Sequence, residues 1–128
     1  MSAPIVFISH FKIKEGKLDE FKELSKNVSK FIEANKPGTT TFLQFTNEDG
    51  TELSIIHVFP DADAFDKHNE GVGERSSKAF EIIVPTRREI YGLPSDQAMA
   101  ILTPPDGSEI SVNQVPQLIG GYIRLKSE

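Results

Sequence analysis

Two segments of this chain read as β-strands that are apolar on both faces. Residues 4–13 put Ile5, Phe7, Ser9, Phe11 and Ile13 on one side and Val6, Ile8 and His10 on the other. Residues 52–59 put Leu53, Ile55, His57 and Phe59 on one side and Ser54, Ile56 and Val58 on the other. An antiparallel sheet with one wet face alternates apolar with polar residues. These strands must therefore be covered twice, once by helices and once by something else. Water on either face would meet an unusually large apolar patch.

The segments between these strands set the order of elements. Gly16 breaks the first strand. Leu18, Phe21, Leu24, Val28, Phe31 and Ile32 then recur at spacings of three and four, which predicts a helix over 17–34. Asn35-Lys-Pro-Gly38 stops it. A strand follows over 39–46, and Asp49-Gly50 marks a hairpin into the strand over 52–59. Pro60 ends that strand, and Asp61 is a good N-cap for a helix over 62–69. Gly71 and Gly73 interrupt. A second helical piece is expected over 74–84, ending at Pro85, with a strand over 86–91.

The pattern is β-α-β, hairpin, β-α-β. It predicts an α+β, ferredoxin-like βαββαβ antiparallel sheet with helices on one face. One domain over 1–128 is expected, with its core over 4–92 and a C-terminal extension over 93–128. In the extension, Ser95 or Asp96 can cap a short helix through Leu102. Residues 110–112 and 122–125 are short strand candidates. A second copy of the chain, stacked sheet on sheet, is the expected cover for the second apolar face; the extension is the other candidate.

Composition excludes several classes of function. The chain has no cysteine, which removes disulfides, thiolate zinc sites and a cysteine nucleophile. Its net charge is −5 and its basic residues are dispersed, so no nucleic-acid partner is expected. No apolar run is long enough for a membrane span, and Met1-Ser-Ala-Pro4 does not resemble a secretory leader, so a cytoplasmic location is the default expectation.

Three stretches carry a resemblance. They are Phe11-Lys-Ile-Lys-Glu-Gly-Lys-Leu-Asp-Glu-Phe21, then Lys36-Pro-Gly-Thr39, then Asp63-Ala-Phe-Asp-Lys-His68. Together they resemble the dimeric α/β-barrel superfamily, and within it the antibiotic-biosynthesis-monooxygenase-like group, over about residues 5–92. The resemblance implies a homodimer formed through the sheet face. It also implies a cavity between sheet and helices for a small hydrophobic or aromatic ligand. Some members of the group oxidise quinols or polycyclic phenols with dioxygen and no bound cofactor, and others degrade haem. The positions matching the Asn, Trp and His of the haem degraders are Ser9, His68 and Lys78, so none of the three is retained. The usual second histidine falls near Gly73 and is missing.

His68 matches the histidine of the Ala-Phe-x-x-His motif and is the candidate catalytic base, since histidine titrates near neutrality. The plainer alternative is a helix-end histidine that satisfies carbonyls. His57, His10, Phe7, Phe42 and Phe80 are candidate substrate-binding residues. Full antiparallel pairing of the first and third strands would set His57 opposite Phe7 rather than His10. Only one of Arg87 and Arg88 can point inward. His57, Asp61, Asp63 and His68 match no standard metal spacing, so no metal is expected. Asp61 is accounted for as a helix cap.

Overall fold

A computed structural model describes residues 3–124. Five strands form one sheet: β1 (Ile5–Ile13), β2 (Thr41–Thr46), β3 (Glu52–Phe59), β4 (Ile83–Tyr91) and β5 (Ser111–Val115). Four helices connect them: α1 (Leu18–Asn35), α2 (Ala62–Asn69), α3 (Val72–Ser76) and α4 (Asp96–Leu102). The sheet order is β2-β3-β1-β4-β5. The first four strands are antiparallel neighbours, which is the split βαβ arrangement expected from the sequence. β5 joins β4 in parallel, with α4 as the crossover.

Local chemistry accounts for most boundaries. Gly50 closes the β2–β3 hairpin at φ 73°, a conformation that costs glycine little. Asp61 caps α2 by accepting from the Ala64 N–H at 2.8 Å, and Ser95 caps α4 through the Ala98 N–H at 3.1 Å. Gly38 follows α1 for a different reason. A Cβ built there would lie 2.7 Å from Ala64 Cβ, so only glycine lets the start of β2 approach α2 this closely.

Three expectations are corrected. The helix expected over 74–84 is instead α3 (Val72–Ser76) and a single 3-10 turn at Ala79–Glu81. β4 starts at Ile83 and runs through Pro85, the residue expected to end the preceding helix. It can do so because the β1–β4 register slips there: His10 pairs with Arg87 but Phe11 with Pro85, leaving Thr86 as the extra residue. A bulge is where a strand accommodates proline, since no ladder bond is lost. In the extension, β5 runs to Val115 rather than stopping at 112, because the edge of β4 supplies a ladder as far as Tyr91. Residues 122–124 form no strand, and Leu125 lies outside the described residues.

The helices lie on the sheet face that carries Ile5, Phe11, Leu53 and Phe59. Two apolar clusters hold them there. One joins Ile5, Phe59 and Ile90 to Ala64 and Phe65 of α2 and to Ala98 and Leu102 of α4. The other joins Phe11, Ile13, Leu53 and Ile83 to Phe21 of α1 and to Ile82. They sit at opposite ends of the strands. The other sheet face carries Val6, Ile8, Ile56 and Val58, all half-buried, with Leu43 and Phe45 exposed beside them. The extension lengthens the sheet and thickens the helix layer, so this face keeps its apolar character.

Replacing Gly38 by alanine is expected to lower unfolding stability by about 1–3 kcal/mol through overpacking against Ala64. Ala64→Gly, although destabilising alone, is expected to cost less in the Gly38→Ala background; urea unfolding of the four proteins of this cycle measures the coupling. Strict additivity would contradict the close approach.

Candidate functional site

Between the two clusters the sheet carries residues that do not fill the space above it. One row across the sheet is Gln44, Ile55, Ser9 and Arg88; the next is Phe42, His57, Phe7 and Ile90. Over them stand Leu24, Ser25, Val28 and Ile32 of α1, with Val72 and Arg75 of α3. The result is a cavity of about 330 Å3 with a mainly apolar wall. Ser25 Oγ bonds Gln44 Oε1, tying α1 to β2 across the floor.

The structure brings five of the six candidate residues to this wall: His68, His57, Phe7, Phe42 and Phe80. His10 lies on the other sheet face, outside the cavity. There its two ring nitrogens meet Ser54 Oγ at 2.9 Å and the Glu89 carboxylate, and Tyr91 donates to the same carboxylate at 2.8 Å. These bonds hold the Glu89 carboxyl below the usual range. The face alternation expected for His57 and His10 is observed, with Phe7 opposite His57.

His57 is buried beneath aromatic rings. Phe7 stacks on it at 5.1 Å between centroids, and Phe42 meets it edge-on at 5.2 Å. Its Nδ1 lies 2.9 Å from the Phe7 carbonyl. A carbonyl can only accept, so Nδ1 carries the hydrogen and Nε2 holds the lone pair. His68 stands edge-on to His57, centroids 5.1 Å apart. Its Nδ1 meets the Thr39 hydroxyl at 2.7 Å, and its Nε2 has no hydrogen-bond partner among the described residues.

The helix-end role that the sequence allowed for His68 falls to other side chains. Lys36 Nζ donates to the carbonyls of Lys67 and Glu70 at 2.7 and 3.2 Å. Arg75 donates to the carbonyls of His68 and Glu70. His68 itself turns inward and is 4% exposed.

Both imidazoles are neutral in the fold. Burial lowers His57 to about 4; the bond to the Phe7 carbonyl opposes this, and the charge on Arg75 adds to it. Burial lowers His68 to about 3, and repulsion from His57, Arg75 and Lys36 adds to that.

Several site residues were not singled out from sequence. Thr39 belongs to the Lys36-Pro-Gly-Thr39 stretch, where the sequence pattern predicts only strand. Asn69 lines the cavity, and its amide nitrogen is buried without a partner among the described residues. Arg88 is the inward member of the arginine pair; strand alternation gave the choice of two, and only the register with Ser9 decides it. Among the described residues no three His, Cys, Asp or Glu side chains gather as a metal site. Among the same residues no helix is long and apolar enough to cross a membrane.

No family model matches the chain, and no curated protein matches its sequence. Solved structures do match. MupZ from Pseudomonas fluorescens superposes with a TM-score of 0.68 at 20% identity, over 93% of this chain and 95% of MupZ. A Caulobacter crescentus protein assigned as an antibiotic biosynthesis monooxygenase matches at 0.62 and 15%, over 73% of this chain and 91% of that one. SnoaB from Streptomyces nogalater, a cofactor-independent oxygenase, matches at 0.61 and 18%, over 73% and 96%. The fold is thus that of the antibiotic-biosynthesis-monooxygenase-like proteins, as the sequence resemblance implied. The match to MupZ, at 93% of 128 residues, must extend past residue 92 into the α4–β5 extension.

The neutral histidines have a consequence for acid stability. In the unfolded chain a histidine takes up a proton near pH 6.5, whereas these two stay neutral to about 4 and 3. The unfolded state therefore binds more protons over that window, and stability falls as pH drops from 6.5. His57→Gln, which keeps a donor for the Phe7 carbonyl, is expected to reduce the loss between neutral pH and about pH 4 by about 3 kcal/mol. Urea unfolding at the two pH values measures it; equal losses in both proteins would mean that His57 is not held neutral.

Proposed function

We propose that this cavity is the active site of a cofactor-independent monooxygenase acting on a small aromatic or quinol-type substrate, with His68 as general base. The placement of His68 carries the reading. It is buried and neutral, with one ring nitrogen on Thr39 and the other without a partner among the described residues, beside the ring-binding wall of Phe7, Phe42 and His57. The fold shared with SnoaB, a cofactor-independent oxygenase, supports it.

For Nε2 to accept a phenolic proton, Nδ1 must carry the ring hydrogen and donate to the Thr39 hydroxyl, which the 2.7 Å separation allows. Thr39 borders a second cleft on the outer side, lined by Lys36, Asp61 and Asp63, so a proton has a way to solvent. The anion then reduces dioxygen: a ring carbon forms a C–O bond, and the resulting hydroperoxide loses water to leave a quinone carbonyl. One oxygen atom enters the product, the other leaves as water, and the substrate supplies all four electrons that dioxygen takes up.

The strong lowering of His68 favours a second reading. A conjugate acid near 3 is a weak acceptor for a phenolic proton unless the anion forms against a positive charge. A small-molecule-binding protein without turnover would need no such base.

Oxygen uptake with a panel of quinols separates the two. The enzyme reading expects uptake that falls by about 10²–10⁴ in His68→Ala. Uptake no greater than that variant's would leave binding alone.

The apolar sheet face supports a homodimer, and the lack of cysteine supports a cytoplasmic location. Light scattering at micromolar concentration is expected to give twice the 14.2 kDa chain mass. A monomer mass would overturn the dimer.

A further inference from the structure

We propose that the ligand of this cavity carries a carboxylate, and that Arg88 and Ser9 bind it at the end of the floor away from the histidines. The proposal rests on the reading of the cavity as an aromatic-ligand site, and not on oxygen chemistry.

Arg88 enters the cavity because β4 alternates: Arg87, Glu89 and Tyr91 face the open side of the sheet, and Arg88 and Ile90 face the helices. One of its N–H groups is used. Nη1 donates at 2.8 Å to the carbonyl of Leu102, the last residue of α4. That bond anchors the guanidinium and leaves its other donors without a partner among the described residues. The other two arginines that could serve are occupied. Arg87 pairs with Glu89 on the far face, and Arg75 spends both Nη atoms on backbone carbonyls.

No Asp or Glu lines the cavity, and no carboxylate lies within ion-pair distance of Arg88 among the described residues. Partial burial already makes its charge less favourable. A desolvated cation without a counter-ion is costly, and an anionic ligand removes that cost. Ser9 stands directly opposite Arg88 in the β1–β4 register, 5% exposed, and its hydroxyl has no hydrogen-bond partner among the described residues. A guanidinium beside a serine hydroxyl is a donor pair suited to a carboxylate.

The register also sizes the ligand. Arg88 is two strands and two residues from His57, a backbone separation of about 12 Å. An acid held at Arg88 therefore needs a body about the length of two fused rings to reach Phe7, His57 and His68. If Arg88 served only to cap α4, the charge of the ligand would not matter.

The probes are 2-naphthoate and its uncharged counterpart 2-naphthamide, titrated calorimetrically at about pH 8, where the acid is ionised and the histidines are neutral. The wild-type protein is expected to bind naphthoate roughly tenfold more tightly, or better, than naphthamide. Arg88→Gln should abolish that preference with naphthamide affinity unchanged, Arg88→Lys should recover part of it, and the exposed Lys12→Gln should retain it. Equal affinity for the two probes in the wild-type protein overturns the acid subsite while leaving the aromatic cavity standing. A preference that survives in Arg88→Gln also overturns it. No binding of either probe at millimolar concentration overturns both. The wild-type comparison alone decides the matter if Arg88→Gln does not fold.

Discussion

The sheet is packed tightly at its two ends and left open in the middle, and the rest of the molecule depends on that division. Ile5, Phe59, Phe65 and Ile90 close one end, and Phe11, Phe21, Leu53 and Ile83 close the other. Between them the row through Ser9 and Arg88 offers a small hydroxyl and a long cation where a core would use leucine or isoleucine. Protein interiors are close-packed, so a cavity survives only where stability is secured elsewhere. Here two separate clusters secure it, and α1, anchored in the second through Phe21, stands over the space between them.

Burial then sets the electrostatics. Protonation of either imidazole would place a charge in a mainly apolar wall already bordered by two arginines, so both histidines stay neutral. The tautomer of His57 follows from its partner among the described residues, the Phe7 carbonyl. That of His68 is left to Thr39, whose hydroxyl can donate or accept. His68 thus borders both the cavity and the outer cleft that Thr39 lines. The close contact of Gly38 with Ala64 keeps Thr39 against α2, so a backbone constraint at the end of α1 reaches the site.

The strand order, the α1 and α2 spans and the hairpin were legible because each rests on local signals: periodicity, Asp-Gly, Pro-Gly and a capping Asp. The region from 74 to 85 was not, because its apolar residues serve a 3-10 turn and a bulged strand whose register β1 imposes from far along the chain. The site was half legible. Strand alternation put His57 and Phe7 on one face and His10 on the other. It also narrowed the inward arginine to Arg87 or Arg88, a choice that only the register with Ser9 decides. Thr39 and Asn69 stayed hidden, because a threonine in a strand and an asparagine at a helix end have ordinary explanations until three-dimensional packing removes them.

Two imidazoles held neutral in an apolar cavity define the chemistry of the site. The most direct measurement is 15N NMR of the histidine ring nitrogens across the acid range. Two of the three histidines should stay neutral from about pH 8 to about pH 5, one of them with its hydrogen fixed on Nδ1, and His57→Gln should identify that signal. Titration of His57 and His68 near pH 6.5 would contradict it.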